Sequence, residues 1–301
     1  MFFRRLVVRL QLTLIIGFSL SSCGSLLGPK VSPTASQPTP TAVPATATLA
    51  PMAATVNGEG ITASECSDEV GRYKTAQRGL GRTVSDQDAA AAKTVLEDLI
   101  AQVLLEQGAK AAGFDITDSA LQSKMGAIAS QLGGTNKLSK WESDHGYTDE
   151  SFRVALRRDS DAAWMRDKII GAVPTIADQV HVQQILLYNT DQAQGVLEQL
   201  KGGADFNTLA ATYDPSTRGD LGWFPKGYIL DSKVEEVAFG LAVGQSSDVI
   251  QTDVGYDIIK VLERDQQHPL SPDAYLVMQE QALKEWLSKQ RAQANVVLAP
   301  P

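Results

Sequence analysis

The chain has 301 residues, of which 43% are hydrophobic and 21% are charged, and its formal net charge is -8. This length is enough for one to three domains, each with its own hydrophobic core. The acidic balance, with basic residues clustered only near the N-terminus, argues against an electrostatic surface for nucleic-acid phosphates. The sequence therefore predicts a globular protein without a nucleic-acid partner.

The first 22 residues have the features of a lipoprotein signal peptide. Three arginines precede an apolar run at 10–20, which is shorter than the roughly 20 apolar residues of a membrane-spanning helix. The run ends in Leu-Ser-Ser-Cys at 20–23, which resembles a bacterial lipobox. We therefore expect cleavage before Cys23 and lipidation of its thiol. An ordinary cleaved signal followed by a chance cysteine is the alternative interpretation.

Residues 23–52 are predicted to form a tether that begins at the lipidated cysteine. Between Pro29 and Pro51 there are six prolines, five threonines and five alanines, with one charge and no aromatic residue. Such a segment cannot bury enough apolar surface to fold, and its prolines keep it extended. We expect it to hold an extracytoplasmic body away from the membrane.

A helical domain is predicted for residues 53–176. It opens with a small hairpin, because Asn57-Gly58 is a turn signal between two short alternating segments. From Ser64 the apolar residues follow a helical period, and they include one strong face: Val95, Leu96, Leu99, Ile100, Val103 and Leu104. Further helices are expected at about 118–132, 136–144 and 149–170.

An α+β unit is predicted for residues 177–266, where the apolar period changes. A strand at 180–187 precedes two helices, a glycine-rich loop, a helix near 234–240 and a closing strand at 256–262. Residues 267–301 contain one more amphipathic helix, without a sheet of its own to cover. We expect this helix to pack on the N-terminal helices, so that the α+β unit is inserted into the helical domain.

Four motifs in this unit resemble the parvulin domain, and they occur in the family's order. They are Gly-Gly-Ala-Asp-Phe-Asn-Thr-Leu-Ala at 202–210, Arg-Gly-Asp-Leu-Gly-Trp-Phe-Pro-Lys-Gly at 218–227, the run 234–247, and Thr-Asp-Val-Gly-Tyr-Asp-Ile-Ile-Lys-Val at 252–261. Upstream, Val-Asn-Gly-x-x-Ile-Thr at 56–62 resembles the start of the SurA and PrsA folding factors. The resemblance implies a peptidyl-prolyl cis-trans isomerase and chaperone whose partners are unfolded exported proteins with X-Pro bonds.

Isomerisation of an X-Pro bond requires no nucleophile, metal or cofactor. Its barrier of about 18–20 kcal/mol is the lost resonance of the C–N bond, and the two isomers differ by only about 0.5–1 kcal/mol. A dry pocket and a hydrogen bond to the prolyl nitrogen both favour the twisted amide over the planar one. The resemblance therefore implies neither a cofactor nor a metal site.

The resemblance also implies an apolar cup around the proline ring. In parvulins, apolar side chains line the pocket around the proline ring, and the matching positions here are Leu221, Ile229 and Val234. Phe224 is assigned to the same substrate-binding set. Val234 stands where relatives usually carry an aromatic ring, so we expect the floor of the proline pocket to be shallower in this protein. The alternative is that these side chains belong to the hydrophobic core.

The polar centre departs from the family pattern. Parvulins usually carry two histidines, and here those positions hold Gln184 and Asp257, with Thr252 close enough in sequence to join them. Asp214 is the candidate for the polar residue beside the twisting carbonyl. A turn-forming role before Pro215 is its alternative interpretation. The catalytic set is thus predicted to be these four residues.

Two other functions compete with the isomerase. The missing histidines favour a tethered chaperone whose parvulin domain binds peptides without appreciable turnover. A hydrolase is disfavoured, because the sequence has no Gly-x-Ser-x-Gly and its three scattered histidines lack the spacing of a triad or a metal site.

Overall fold

The computed structural model describes residues 50–83, 89–229 and 231–299. The predicted signal peptide, the lipobox with Cys23 and the tether up to residue 49 lie outside these residues. No helix in the described ranges is both long enough and apolar enough to cross a membrane.

The helical part begins with a hairpin and continues through five helices. The hairpin strands are β1 (Met52–Val56) and β2 (Glu59–Thr62), which are antiparallel. The helices are α1 (Ala63–Gly79), α2 (Ala89–Ala111), α3 (Asp118–Leu132), α4 (Thr135–Asp144) and α5 (Asp149–Gly171).

Three of these helices begin at threonines whose side chains cap the first turn. Thr62, Thr117 and Thr148 accept hydrogen bonds from backbone N–H groups three residues ahead. At Thr148 the bond is reciprocal, because the hydroxyl of Ser151 accepts from the Thr148 N–H. Capping of this kind stabilises a helix by about 1 kcal/mol, so the local sequence determines where these helices start.

Helix α2 is the centre of the helical core. It packs against α1 and α5 and against the hairpin, which explains why apolar residues cover much of its surface. The buried cluster contains Ala54, Val56, Ile61, Val95, Leu99, Ile100, Val103 and Leu104. A separate cluster joins α3, α4 and α5 around Leu121, Met125, Leu138, Phe152 and Leu156.

The second part is a four-stranded antiparallel sheet with helices on both faces. Its strands are β3 (Ile176–Leu187), β4 (Asp220–Pro225), β5 (Ile250–Gln251) and β6 (Tyr256–Pro269), in the order β4-β3-β6-β5. Its helices are α6 (Thr190–Lys201), α7 (Phe206–Tyr213) and α8 (Ser232–Gly240).

The register of β3 against β6 determines which side chains share a face. Gln184 lies opposite Ile259, and Leu186 lies opposite Asp257. Residues directly opposite in an antiparallel pair point to the same side, so these four occupy one face. Ile259 packs in a cluster with α8, which makes this the α8 face. The other face packs against α6 and α7 through Ile185, Leu187, Ala193, Val196, Phe206 and Ile258.

The C-terminal segment returns to the helical part. Helix α9 (Pro272–Gln293) contacts α2 and α5, and strand β7 (Val296–Leu298) pairs with β1 to give the order β2-β1-β7. Leu287 and Val296 pack against the α2 cluster. The predicted fold class is confirmed: an α+β unit is inserted into a helical domain that the C-terminal helix completes.

All the strands except those of the first hairpin differ from the sequence-based expectation: β3 begins four residues before the expected start at 180, and β5 was not expected. β4 lies in the segment expected to be a glycine-rich loop, and β6 continues seven residues beyond the expected end at 262. β7 was not expected at all. β4, β6 and β7 owe their strand conformation to partners far away in sequence, such as Val180 for Phe224 or Val56 for Val296. Local alternation could not reveal those partners.

Candidate active site on the α8 face

A buried carboxylate lies at the centre of the candidate site. The side chain of Asp257 is 1% exposed, and both of its oxygens accept hydrogen bonds. The Gln184 amide nitrogen donates to Oδ1, and the Thr252 hydroxyl donates to Oδ2 at 3.0 Å. A buried charge needs such partners, because transferring it from water without them is costly. The structure therefore brings three of the four predicted polar residues together.

The β5–β6 hairpin places Thr252 beside Asp257. Ile250 pairs with Asp257 and Gln251 with Tyr256, and the turn is closed by the Thr252 N–H, which donates to the Gly255 carbonyl at 2.9 Å. A Cβ on Gly255 would overlap the carbonyl oxygen of Leu187. Glycine is therefore required where this turn meets the end of β3.

Asp214 closes the loop between α7 and β4. Its carboxylate accepts from the N–H groups of Ser216 at 3.0 Å, Thr217 at 3.1 Å and Gly219 at 3.2 Å, and from the Thr217 hydroxyl. These bonds, with the Thr217 hydroxyl first, hold the pKa of Asp214 below its usual value. The turn-forming interpretation of Asp214 thus describes what its carboxylate does in this structure.

Gly219 connects that loop to the buried carboxylate. Its N–H binds Asp214, while its carbonyl accepts from the Gln184 N–H at 2.7 Å. Its φ of +69° is in the left-handed region, and a Cβ there would overlap the Gln184 carbonyl oxygen. Asp214 is therefore linked to Gln184, and through it to Asp257, by a glycine that no other residue can replace without strain.

The predicted apolar residues differ in how much surface they present. Val234 is 4% exposed, and Ile229 packs against the core cluster that contains Val234, whereas Leu221, at the start of β4, is 36% exposed. Phe224 departs from its assignment to the substrate-binding set, because it is fully buried and its ring lies edge-on to Phe239. Its position opposite Val180 places its side chain in the core cluster on the α8 face.

Gln183 was missed by the sequence reasoning. Its amide nitrogen donates to the carbonyl of Arg218 at 2.7 Å and to the Asn207 side chain at 3.1 Å, so it holds the loop from the opposite face of β3. The signal was available in the sequence: a polar side chain occupies a position that alternation assigns to an apolar, buried face. Such a residue usually has a specific hydrogen-bonding role.

None of the three histidines joins the buried carboxylate: His145 stacks on Trp141 in the helical part. The rings of His181 and His268 both stack on Trp223, with ring centroids 5.6 and 4.0 Å away. Nε2 of His181 lies 2.8 Å from Asp220. Partial burial raises the pKa of Asp220, but hydrogen bonds from Gly222 and His181 outweigh this effect and leave the pKa lowered.

No group of three His, Cys, Asp or Glu in the described ranges is placed to hold a metal.

Two family models match the chain. The model for the PPIC-type PPIASE domain covers residues 168–265, and the model for the SurA-like N-terminal domain covers residues 46–139. The first range contains the whole candidate site, and the second contains the hairpin and helices α1 to α3.

Among curated proteins, the chain is similar to the foldase protein PrsA of Geobacillus kaustophilus, with 30% identity over 182 residues, 58% of this chain and 63% of that protein. It is also similar to the chaperone SurA of Hahella chejuensis, with 28% identity over 244 residues, 69% of this chain and 56% of that protein. The chain thus spans less than two thirds of the length of each of these relatives.

A crystal structure of the peptidylprolyl isomerase PrsA from Bacillus cereus has 20% identity and a TM-score of 0.43, covering 80% of this chain and 85% of that one. The two family matches overlap the two parts of the fold described above, with 168–265 over the four-stranded sheet and its helices. One segment of the chain thus matches the model of a SurA-like N-terminal domain, and another matches the model of a PPIC-type PPIASE domain.

Proposed function

We propose that this protein is a peptidyl-prolyl cis-trans isomerase and folding chaperone that acts on X-Pro bonds of exported proteins. The observation that carries the isomerase proposal is the buried Asp257 carboxylate, which fixes the Gln184 amide on the α8 face next to the loop that leads to Leu221. This arrangement lies within the part of the chain that matches the PPIC-type domain.

The chemistry requires a group that interacts with the twisted amide better than with the planar one. One N–H of the Gln184 amide is donated to Asp257, which leaves a second N–H with a fixed orientation. We assign this N–H the role of donor to the prolyl nitrogen, whose lone pair becomes available only when the amide twists. A contact that stabilises the transition state by about 1.4 kcal/mol accelerates the reaction tenfold.

Thr252 and Asp214 act through other groups in this proposal. The Thr252 hydroxyl occupies the second oxygen of Asp257, so the carboxylate cannot rotate away from Gln184. Asp214 keeps Gly219 against β3 and thereby places the start of β4, with the half-exposed Leu221, beside the polar centre. The proline ring is proposed to rest on Leu221, Ile229 and the small side chain of Val234.

The isomerase proposal is tested by isomer-exchange spectroscopy on a short Ala-Pro peptide. Exchange between the cis and trans forms is measured with the peptide alone and after addition of the protein that lacks its first 23 residues. We expect faster exchange in proportion to protein concentration. If the peptide binds and its exchange rate stays at the uncatalysed value, the isomerase proposal is wrong.

A peptide-binding module without turnover is the second candidate function. Two observations favour it: the family's histidines are replaced by Gln184 and Asp257, and the Asp214 carboxylate is engaged within its own loop. The same exchange experiment separates the two functions, because both predict binding and only the isomerase predicts faster exchange.

The chaperone proposal concerns the helical part of the chain. Exposed apolar side chains on this part would offer client contacts; they include Leu80, Val154, Leu276, Val297 and Leu298. The names of the relatives, foldase PrsA and chaperone SurA, support the proposal.

For the location, we propose export and lipidation at Cys23, with the tether of residues 23–52 holding the domains near a membrane.

A shortened chain tests the chaperone proposal separately from the isomerase. Ile176 pairs with Pro269 across β3 and β6, so the two ends of the inserted unit are adjacent and a short Gly-Ser linker can replace 177–268. The α2 cluster contains no residue from that range. We expect the shortened chain to reduce light scattering by an aggregating unfolded client. Scattering equal to that without the chain would overturn the proposal.

A further inference from the structure

One side chain of the helical part contacts the segment that connects β4 to α8. Gln281 lies on α9, outside the range 168–265 that matches the PPIC-type domain. Its amide nitrogen donates to the carbonyl of Gly227, two residues after the end of β4. The helical part therefore holds the backbone at the entrance to the segment that carries Ile229.

Gly227 is bound from two directions. Its carbonyl accepts from Gln281, and its N–H donates to Oε2 of Glu235 on α8 at 2.6 Å. Its φ of +85° is in the left-handed region, and a Cβ at this position would overlap the end of the Gln281 side chain. Glycine thus permits both this backbone conformation and the close approach of Gln281.

Helix α9 is itself fixed to the helical part. The ring of Trp286 lies so close to Gly108 on α2 that a Cβ on this glycine would overlap it. Gln279 donates to the carbonyl of Ile170 on α5 at 3.3 Å. Gln281 therefore extends from a support that is held by two helices outside the four-stranded sheet.

The position of Gly227 affects the proposed wall of the proline pocket. The Tyr228 N–H donates to the Pro225 carbonyl at 3.3 Å, so the chain turns directly after β4. Ile229 follows and packs against the core cluster that contains Val234. Because a single residue separates Gly227 from Ile229, a shift of the Gly227 backbone would also move Ile229.

We infer that Gln281 is a positioning residue for the proline pocket, supplied by the helical part of the chain. It acts through Gly227 and not on the reacting amide. The inference rests on the proposed function, because it concerns the pocket that holds the proline of the client. Loss of one neutral hydrogen bond changes an equilibrium by about fivefold, so we expect peptide affinity to fall by about that factor without it.

The test measures affinity and turnover separately. The dissociation constant of a fluorescent peptide with one Ala-Pro bond is measured by anisotropy with the protein that lacks its first 23 residues, and its cis-trans exchange is measured at saturation. We expect Gln281→Ala and Gln281→Glu to raise the dissociation constant about fivefold and to leave the exchange rate at saturation within about twofold of the wild type. Gln281→Glu keeps the length of the side chain but has no N–H to donate.

Gln279→Ala is the matched control. Gln279 lies on the same helix, and its amide also binds a backbone carbonyl, but that carbonyl belongs to Ile170 on α5. This variant should keep the wild-type dissociation constant. The urea midpoint of each variant is measured as well, because a purely structural role of Gln281 would lower the midpoint and leave the affinity unchanged. Wild-type affinity in both Gln281 variants, or an equal loss in Gln279→Ala, overturns the inference.

The readout also separates this inference from the proposed function. Dissociation constants are obtained whether or not exchange is catalysed. A fivefold loss of affinity in both Gln281 variants supports the positioning role even if exchange stays at the uncatalysed rate, in which case only the isomerase is lost. Catalysed exchange with unchanged affinity in both variants supports the isomerase and overturns the positioning role. A wild-type protein that does not bind the peptide would overturn both.

Discussion

The N–H of Gln184 donates to the carbonyl of Gly219 at 2.7 Å, and at the same contact the Gln184 carbonyl oxygen occupies the space where a Cβ on Gly219 would lie. This contact joins the loop closed by Asp214 to the strand that carries the Gln184–Asp257 pair.

Gly219→Ala should destabilise the parvulin domain strongly. The new Cβ would overlap backbone atoms of Gln184, and φ at this position is +69°. We expect a loss of about 2 kcal/mol or more, because left-handed strain of roughly 1 kcal/mol adds to a clash that only a backbone shift can relieve. The free energy of unfolding in urea measures this loss of stability.

Gly203→Ala is the control for this substitution. Its φ is +92°, but nothing lies within 4 Å of the position that a Cβ would occupy. It should show only the strain of the left-handed conformation, about 1 kcal/mol. Equal losses for the two variants would mean that the Gly219–Gln184 contact is not tight.

Gln184→Leu should reduce both stability and catalysis. The substitution removes the amide that binds Asp257, and a buried carboxylate oxygen is left without that partner, at a cost of about 1–3 kcal/mol. The exchange rate of an Ala-Pro peptide should fall at least tenfold, since the proposed donor to the prolyl nitrogen is lost.

Gln199→Leu provides the comparison, because Gln199 is exposed on α6 and its amide binds only the Gly195 carbonyl within its own helix. We expect it to leave the exchange rate unchanged. If Gln184→Leu lowers stability and the rate stays at the wild-type value, the pair with Asp257 is architectural and does not take part in catalysis.

The loop closed by Asp214 should loosen in acid. Its pKa lies below the usual 3.8, chiefly because of the Thr217 hydroxyl and the N–H groups of the loop. A lowered pKa means that the carboxylate stabilises the folded loop above its usual pKa, and that this contribution is lost as pH falls through the lower, folded value. The amide signals of Thr217 and Gly219 should therefore shift below about pH 4.

Asp214→Asn tests the assignment of this titration. The variant has no carboxyl group to protonate at this position, so the same amide signals should stay constant over that pH range. A shift of equal size in the variant would show that another group causes it. A wild-type midpoint clearly above 4 would contradict the lowered pKa.

Arg158→Met should destabilise the helical domain by about 3–5 kcal/mol. Arg158 is 8% exposed on α5, with Nε 3.2 Å from Glu106 on α2 and a second nitrogen bound to Glu65 on α1. Removing the guanidinium takes away the cation that Glu65 and Glu106 share and leaves the buried Glu106 with Lys110, 2.6 Å away, as its ion-pair partner. The free energy of unfolding in urea provides the measurement.

Arg153→Met is the matched substitution on the same helix. Arg153 binds Asp149 one turn away at 2.8 Å and donates to the Gln122 side chain on α3 at 3.0 Å, both on the surface. Surface pairs of this kind contribute little, so we expect a small or undetectable change in the urea midpoint. Similar midpoints for Arg158→Met and Arg153→Met would show that the buried network does not hold the three helices together.

The elements that the sequence predicted well are those with local signals. The starts of α1, α3 and α5 follow from Thr62, Thr117 and Thr148, because a capping hydroxyl acts on N–H groups only three residues away. The helical period of α2 and the order of the parvulin motifs are equally readable along the chain. These features indicated the fold class and the candidate polar residues.

The roles of several site residues depended on contacts that no local pattern contains. From the sequence, Phe224 is a possible ligand contact. In the structure it pairs with Val180 and lies in the core. The sequence leaves Asp214 as either a polar residue beside the twisting carbonyl or a turn-forming residue, and the structure shows its carboxylate bound within its own loop. Gln183 and Gln184 are neighbours in sequence, yet strand alternation sends one to the Arg218 carbonyl and the other to Asp257.

The sequence by itself determined the helices, the α+β unit set between them and the residue types of the polar centre, because caps, apolar periods and motifs act over a few neighbouring residues. Only the tertiary structure decided that β7 joins β1 and that Gln184 meets Asp257, 73 positions away. Strand register and burial arise from distant partners, whose choice depends on the packing of the whole chain.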